Sequence, residues 1–405
     1  MAIGSDPLPA VVAVMSYSGL GIVRSLGRRG IPVYAIADSP EEVGMTSRYA
    51  TAVVTPKIIE SEEHTIQDLI QLGKRIGRPS VLYATGDSVV LPVSKYRDEL
   101  KKYYRFLMPD HSVVERLLTK SGLSGAIEEL KVPGPRSVII HNPEKFAESA
   151  SILEYPVIIK PIFSASWYRH EVTDVIGVRK AILCNDAAEA TSWYEKLRPV
   201  DPRIILQELI PGDDSELYYV CGYYNRDGVL ETAFAGRKLR LTPIHFGSAS
   251  FVESVPGDEL VPAADRLLSP LGYKGLFGVE FKKDPRDGVY KVIEVNVRWG
   301  LWDCLSARCG ADLAYLAYAR EAHVPYRCTR AYRLGVRWVS SRRDLDACID
   351  YHREGSISGL SWMKCLFGET QHAVFACDDV QPAIREVAVM MNDKLSGIRS
   401  RLLKK

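Results

Sequence analysis

Two glutamates fourteen residues apart, Glu280 and Glu294, lie inside two segments with strand alternation. The first segment reads GLFGVEFK over 275–282 and the second VYKVIEVNVR over 289–298. DPRDG between them is turn chemistry, so the two are expected to pair as a hairpin. Side chains alternate across a strand, which puts Glu294, Asn296 and Arg298 on one face and Ile293, Val295 and Val297 on the other. In the first segment Phe277, Val279 and Phe281 take the packed face and leave Glu280 opposite them. Two carboxylates and an amide oxygen, converging beside an arginine, form a hard-oxygen site. Mg²⁺ prefers such a site, with substrate phosphates completing its shell. A solvated hairpin face is the plain alternative for the same residue types.

The elements that must carry this hairpin are legible on both sides of it. Residues 10–110 alternate strand and helix, with apolar strands at 11–15, 31–36, 52–55 and 80–84 and an amphipathic helix at 62–76. That is a βαβ pattern with a parallel sheet. The first strand-to-helix turn, SYSGLG over 16–21, lacks the third glycine of a dinucleotide fingerprint, because Arg24 stands there. A tight turn, or a turn holding a small substrate, is favoured over a nicotinamide site with Asp38 as its ribose acid. Asp87 follows the strand at 80–84, at the sheet edge where ligands gather. It is a substrate contact or the cap of a helix over 88–96, the two readings carrying equal weight.

A helix is expected over 113–130, carrying Lys120. It precedes a small α/β unit with strands at 137–140 and 156–161, the latter ending in Lys160. A surface lysine lying along an apolar strand is the plain reading of Lys160. Strands follow at 203–210, 217–224, 229–241 and 248–255, helices at 260–271 and 306–321, and a mixed α/β region beyond about 331. Neither an internal repeat nor a low-complexity segment is evident.

Composition bounds the function. A chain of 405 residues is expected to form two to three domains, and 46% hydrophobic residues supply ample core. A formal net charge of +2 gives no reason to expect nucleic acid, and the basic C-terminal tail reads as solvated. Eight cysteines without Cys-x-x-Cys spacing read as free thiols of a reducing compartment. No apolar run is long enough to span a bilayer, no charged n-region precedes an apolar one, and residues 1–9 read as a loose end. A cytoplasmic location is expected.

The chain resembles the ATP-grasp superfamily, and more narrowly its carboxylate–amine ligases, which include D-alanine–D-alanine ligase and D-aspartate ligase relatives. The resemblance spans roughly residues 10–320. It rests on ordered motifs: Lys120, PVIIKP over 156–161, LQELIPG over 206–212, RKLR over 237–240, and Glu280 with EVNVR over 294–298. It implies an α/β and α+β multidomain fold. A Rossmann-like domain would occupy 1–110, a linker helix and small lid lobe 111–205, a large lobe with the metal site 206–325, and an α/β appendage 326–405.

The resemblance also implies roles. Lys120 and Lys160 reach ATP phosphates. Gln207, Glu208, Leu209 and Ile210 form the hinge on which adenine sits, and Glu216 takes the ribose. Glu280, Glu294 and Asn296 hold two Mg²⁺ ions, for which Mn²⁺ is an admissible substitute, and Arg298 contacts the transferred phosphoryl group or an acyl phosphate. Strand alternation makes Lys238 and Arg240 the active-site cations and turns Arg237 away. The stretch after Lys160, PIFSASWYRH over 161–170, has no glycine before Gly177, unlike the family's glycine-rich flap. Ser164 and Ser166 are the donors left for phosphate, with Trp167 able to close over the site. Trp302, Asp303 and Arg308 shape substrate choice or merely pack. His245 is a base toward the amine or a loop-packing residue, the second having the greater weight. The expected activity is ATP-dependent amide or peptide bond formation through an acyl phosphate, from small-molecule carboxylate and amine substrates, one of them an amino acid, in a monomer or homodimer. ATP-grasp phosphotransfer without ligation, and a nucleotide-binding regulator with weak catalysis, are the alternatives.

Overall fold

In the computed structural model the described residues are 6–402 apart from 57, 141, 142, 164, 165, 168 and 366. Their strands form three sheets in chain order. The first holds β1 (Ala10–Ala13), β2 (Val33–Ala37), β3 (Thr51–Val54), β4 (Ser80–Ala84) and β5 (Tyr104–Arg105), all parallel, in the order β3-β2-β1-β4-β5. β1 reads as an unbroken apolar run because helices cover both faces of this sheet, and all four of its residues are buried. The expected Rossmann-like sheet is therefore present. Gly21 of the first turn has a packing reason: a Cβ there would come within 2.7 Å of Cys304 Cβ, so helix Tyr17–Gly27 lies directly on the segment after the hairpin.

The second sheet is antiparallel and contains β6 (Ser137–Ile140), β7 (Val157–Pro161), β8 (Ile182–Cys184) and β9 (Ile204–Glu208), in the order β6-β9-β7-β8. The third has seven strands: β10 (Leu217–Tyr224), β11 (Leu230–Thr242), β12 (Ser248–Ser254), β13 (Gly275–Lys283), β14 (Tyr290–Asn296), β15 (Arg337–Val339) and β16 (Thr370–His372). Their order is β14-β13-β10-β11-β12-β15-β16. Residues 326–405 thus do not build a separate appendage: β15 and β16 extend the large lobe's own sheet.

The helix expected over 113–130 is two helices, His111–Leu118 and Lys120–Glu129. Thr119 between them is extended, and its hydroxyl caps the second helix by accepting the Gly122 N–H. The break frees the Lys120 N–H to bond the Ile162 carbonyl, which ties this helix start to the second sheet. The stretch 306–321 is likewise divided, at Gly310 (φ 107°) and at Asp312, whose carboxylate caps Leu313–Glu321.

The C-terminal region also clasps the first domain. Asp379 accepts Arg24 Nε at 2.9 Å, Ser47 Oγ at 2.8 Å and the Arg48 N–H at 2.9 Å, with Arg24 and Asp379 both buried. All eight cysteines are free thiols. Among the described residues no helix is long and apolar enough to cross a membrane.

Candidate active site

Four adjacent strands at the β14 end of the large sheet set the site by register. Tyr219 of β10 faces Gly236 of β11 and Glu280 of β13, and Glu280 faces Glu294 of β14. Leu217 faces Lys238 and Lys282 in the adjoining row. All of these except Gly236 line one cleft, of about 430 Å³, between the second and third sheets. A volume of that size suits a nucleotide-sized ligand.

Glu280 and Glu294 are direct cross-strand partners, an arrangement that is unfavourable for two like charges unless cations sit between them. The structure supplies two: Lys238 Nζ lies 2.7 Å from Glu280 and Lys120 Nζ 2.6 Å from Glu294. Burial opposes the Glu294 charge, but Lys120, then Lys180 and Lys238, outweigh it and hold the carboxyl well below its usual range. Burial likewise opposes the Lys120 charge, and Glu294 with Glu280 and Asp87 holds it above the ordinary lysine value. Asn296 shares the face and the cleft. The donor set, two carboxylates and an amide oxygen beside two ammonium groups, fits Mg²⁺. Among the described residues no three His, Cys, Asp or Glu side chains are grouped to hold a metal ion.

Two register irregularities correct the alternation argument. β14 bulges against β13, so that Phe281 pairs with Val292 rather than Ile293. Val292 is then fully buried, and Ile293 lines the cleft instead of packing behind it. β11 breaks register on both sides of Arg240, and Leu241 takes the cleft position. Arg240 is not an active-site cation. It is buried in a bidentate pair with Asp344, both bonds at 2.8 Å, and its guanidinium lies 4.1 Å from the Phe251 ring centroid. Lys238 keeps its expected place.

The second sheet forms the opposite wall. Lys160 Nζ donates to Gln207 Oε1 at 2.8 Å, and Gln207 Nε2 donates to Ser137 Oγ at 3.0 Å. Burial, and then the charge of Lys120, lower the Lys160 pKa to about 8. The hinge residues 207–210 line the cleft, but Glu208 Oε1 accepts the Glu154 N–H, so its side chain is turned toward its own lobe. Glu216 is not on the cleft: Arg237 Nη2 holds it at 3.0 Å, and the Arg237 guanidinium lies over the Tyr218 ring. That pairing holds Glu216 away from the cleft wall and gives Arg237 a structural partner.

In the stretch after Lys160, Ser164 lies outside the described residues. Ser166 is engaged by Asp201 Oδ2 at 2.7 Å and the Phe163 carbonyl, and is not aimed at phosphate. Trp167 is 1% exposed and belongs to the small lobe's core while bordering the cleft.

Around the far end, Trp302 packs on Tyr219 with ring centroids 4.9 Å apart and borders the cleft, whereas Arg308 is drawn to Glu369 at 3.0 Å. Asp303 is buried, accepts the Gly300 N–H at 2.7 Å, and is pushed up to about 7 by burial. His245 borders the cleft with Nε2 3.1 Å from Glu354 and its N–H on Asp214, an anchored loop residue. Asp38 is absent from the cleft wall and lies near Glu42.

Three cleft residues escape the sequence reading. Lys180 Nζ reaches across from the small lobe to Ser248 Oγ at 2.9 Å, Lys282 donates to the Gly212 carbonyl at 2.8 Å, and Tyr219 forms the floor. A basic pair after Gly177 reads as a solvated turn, so only the lobe-to-lobe approach reveals Lys180.

On the expected role of Lys160 at the ATP phosphates, its lowered pKa predicts a pH dependence of ATP binding with a definite sign. The ammonium is present below pH 8 and lost above it, so at pH 9 roughly one tenth remains charged. The ATP Kd is expected to rise several-fold between pH 7 and 9, with proton uptake on binding at the higher pH. Calorimetry in buffers of different ionisation enthalpy reads both, and Lys160→Ala should bind ATP weakly and remove that pH dependence. A variant with wild-type ATP affinity would reduce Lys160 to a strand-end lysine.

No family model matches the chain. It is 26% identical over 241 residues to the D-aspartate ligase of Enterococcus faecium, an alignment covering 58% of this chain and 56% of that protein. The chain thus spans little more than half the length of that curated relative. Among solved structures, the L-amino acid ligase of Bacillus licheniformis superposes with a TM-score of 0.59 at 15% identity, covering 78% of this chain and 75% of that one. The biotin carboxylase of Campylobacter jejuni, solved as a β,γ-ATP complex, superposes with a TM-score of 0.62 at 14% identity, covering 81% and 74%.

Proposed function

We propose that this chain, which carries the ATP-grasp fold of the carboxylate–amine ligase type, is an ATP-dependent ligase that joins a carboxylate to an amine through an acyl phosphate. The observation that carries the reading is the cleft itself. Two lysines on the small-lobe side, Lys120 and Lys160, meet Glu280, Glu294, Asn296 and Lys238 on the large-lobe side, with Arg298 beyond them. On this reading adenine would rest on the hinge 207–210, where Ile158 and Ile293 supply apolar wall, and the phosphates would extend to the lysines. Glu280, Glu294 and Asn296 would hold Mg²⁺, two ions in the reading favoured here, which neutralises phosphate charge when bound.

The protein's own work is placement and charge neutralisation, as phosphoryl transfer requires. The substrate carboxylate attacks the γ-phosphorus and ADP departs, leaving an acyl phosphate whose charge Arg298 and Lys238 offset. An amine then attacks the acyl carbon, gives up its proton, and inorganic phosphate leaves with formation of the amide. No side-chain nucleophile is needed. Ser248, which borders the cleft, accepts from Lys180 Nζ.

The test is Mg²⁺-dependent release of ADP and phosphate from the full chain, with amino acids offered singly and in pairs. Release that needs two substrates, accompanied by a new amide mass, is the expected result. A phosphorylated product without any amide would instead identify a phosphotransferase, and ATP binding without release a regulator.

A further inference from the structure

We propose that Asp87 and Arg298 form an exchangeable recognition pair for an amino-acid substrate. The substrate carboxylate replaces Asp87 on the guanidinium, and the released Asp87 carboxylate takes the substrate's ammonium group. This rests on the ligase reading above and names the class of acid that the enzyme activates.

The two residues come from different domains. Asp87 is the first residue of helix Asp87–Lys95, directly beyond the carboxyl end of β4, and Arg298 lies two residues beyond β14. They meet in the wall of the ATP cleft, with Asp87 Oδ1 2.5 Å from Arg298 Nε and Oδ2 3.4 Å from Nη2. A cap would suffice for the helix, but the carboxylate is spent across the domain boundary instead. The pair is unequal. The Arg298 side chain is 20% exposed and also donates to the Trp299 carbonyl at 3.3 Å, whereas the Asp87 side chain is 50% exposed. Arg298 is the fixed member and Asp87 the one that can turn away.

A guanidinium so enclosed needs an anion against it. Its Nε and Nη2 both lie against the Asp87 carboxylate. Moving Asp87 away without a replacement would leave a poorly solvated charge unpaired, which is costly. Substituting one carboxylate for another keeps the pairing intact, and bidentate geometry suits a planar carboxylate. Asp87 is then left a short distance from the newly bound acid, itself needing a cation. A molecule carrying ammonium and carboxylate on one short skeleton satisfies both residues at once. A simple or keto acid satisfies only Arg298 and leaves Asp87 unpaired beside it. The buried rings of Tyr219 and Trp302, with Gly300, close the cleft wall near this point and favour a compact zwitterion.

The experiment uses the full chain and compares kcat/KM for each activating amino acid with that for its des-amino analogue, read as ADP release. ATP Kd is measured alongside. Wild-type protein is expected to favour the amino acid by at least about 100-fold, as a site with an unpaired charge rejects the ligand lacking its partner. In Asp87→Asn that ratio should collapse to within about tenfold while ATP Kd holds, and Asp87→Glu should keep most of the selectivity. Equal losses for both acids, with the ratio preserved, would reduce Asp87 to a positioning residue for Arg298 and overturn the proposal. Wild-type protein that uses des-amino acids as readily would overturn the substrate class while leaving the ligase reading. No release with any acid, from protein that binds ATP, would remove both.

Discussion

Glu294→Gln is expected to abolish ADP release, lowering it by about 10³-fold or more, while the chain still folds. The carboxylate faces Glu280 directly across the hairpin, and its partner Lys120 is held 2.6 Å away. An amide keeps the size and the hydrogen bond from Lys120 but removes the negative charge that a divalent cation requires. The pair is partly exposed, with the Glu294 side chain at 38%, so the thermal midpoint should shift by no more than a few degrees. Nucleotide binding provides a second readout. In wild-type protein Mg²⁺ should tighten ATP binding, and in the variant that effect should be lost. Undiminished turnover, or an unchanged Mg²⁺ effect on ATP affinity, would remove the metal assignment.

Asp344→Ala should behave in the opposite way, destabilising the fold by about 3–5 kcal/mol while leaving the ATP site chemically intact. Arg240 and Asp344 side chains are 5% and 1% exposed, and Asp344 also accepts Ser250 Oγ at 3.1 Å and Trp362 Nε1 at 2.7 Å. Removing the carboxylate strands a buried guanidinium and two further donors. The expected signature is a marked fall in the thermal midpoint together with near-normal ATP Kd in the protein that remains folded at low temperature. If Arg240 were instead an active-site cation, Asp344→Ala would leave stability almost unchanged and alter turnover.

The contrast between these two positions shows what alternation can and cannot reveal. The hairpin was legible because a two-residue period and a turn of Asp, Pro and Gly occur together, and the placement of Glu280, Glu294 and Asn296 follows from it. Lys238 was legible for the same reason. Arg240 was not, because β11 and β12 lose register on both sides of it, and strict alternation fails at that residue. Ile293 and Val292 exchange places by the same mechanism. Glu216 fails differently: its spacing from the hinge is suitable, but Arg237 on the adjacent strand captures it. β15 and β16 are three residues each, too short for periodicity to show, so the C-terminal region looked separate when it completes the sheet. The parallel sheet of the first domain was accessible because short apolar strands alternate with helical segments there, although its strand order was not. The Asp87 to Arg298 contact spans 211 residues, and the sequence offered only that Asp87 follows a parallel strand as a substrate contact or a helix cap.

The most direct test of the central claim follows oxygen. The amino acid found to drive ADP release is prepared with ¹⁸O in its carboxyl group and turned over with ATP, Mg²⁺ and the amine. Attack by that carboxylate on the γ-phosphorus predicts one labelled oxygen in each phosphate released, because the acyl–oxygen bond breaks when the amine attacks. Unlabelled phosphate from productive turnover would contradict the acyl phosphate and with it the ligase mechanism assigned to this cleft.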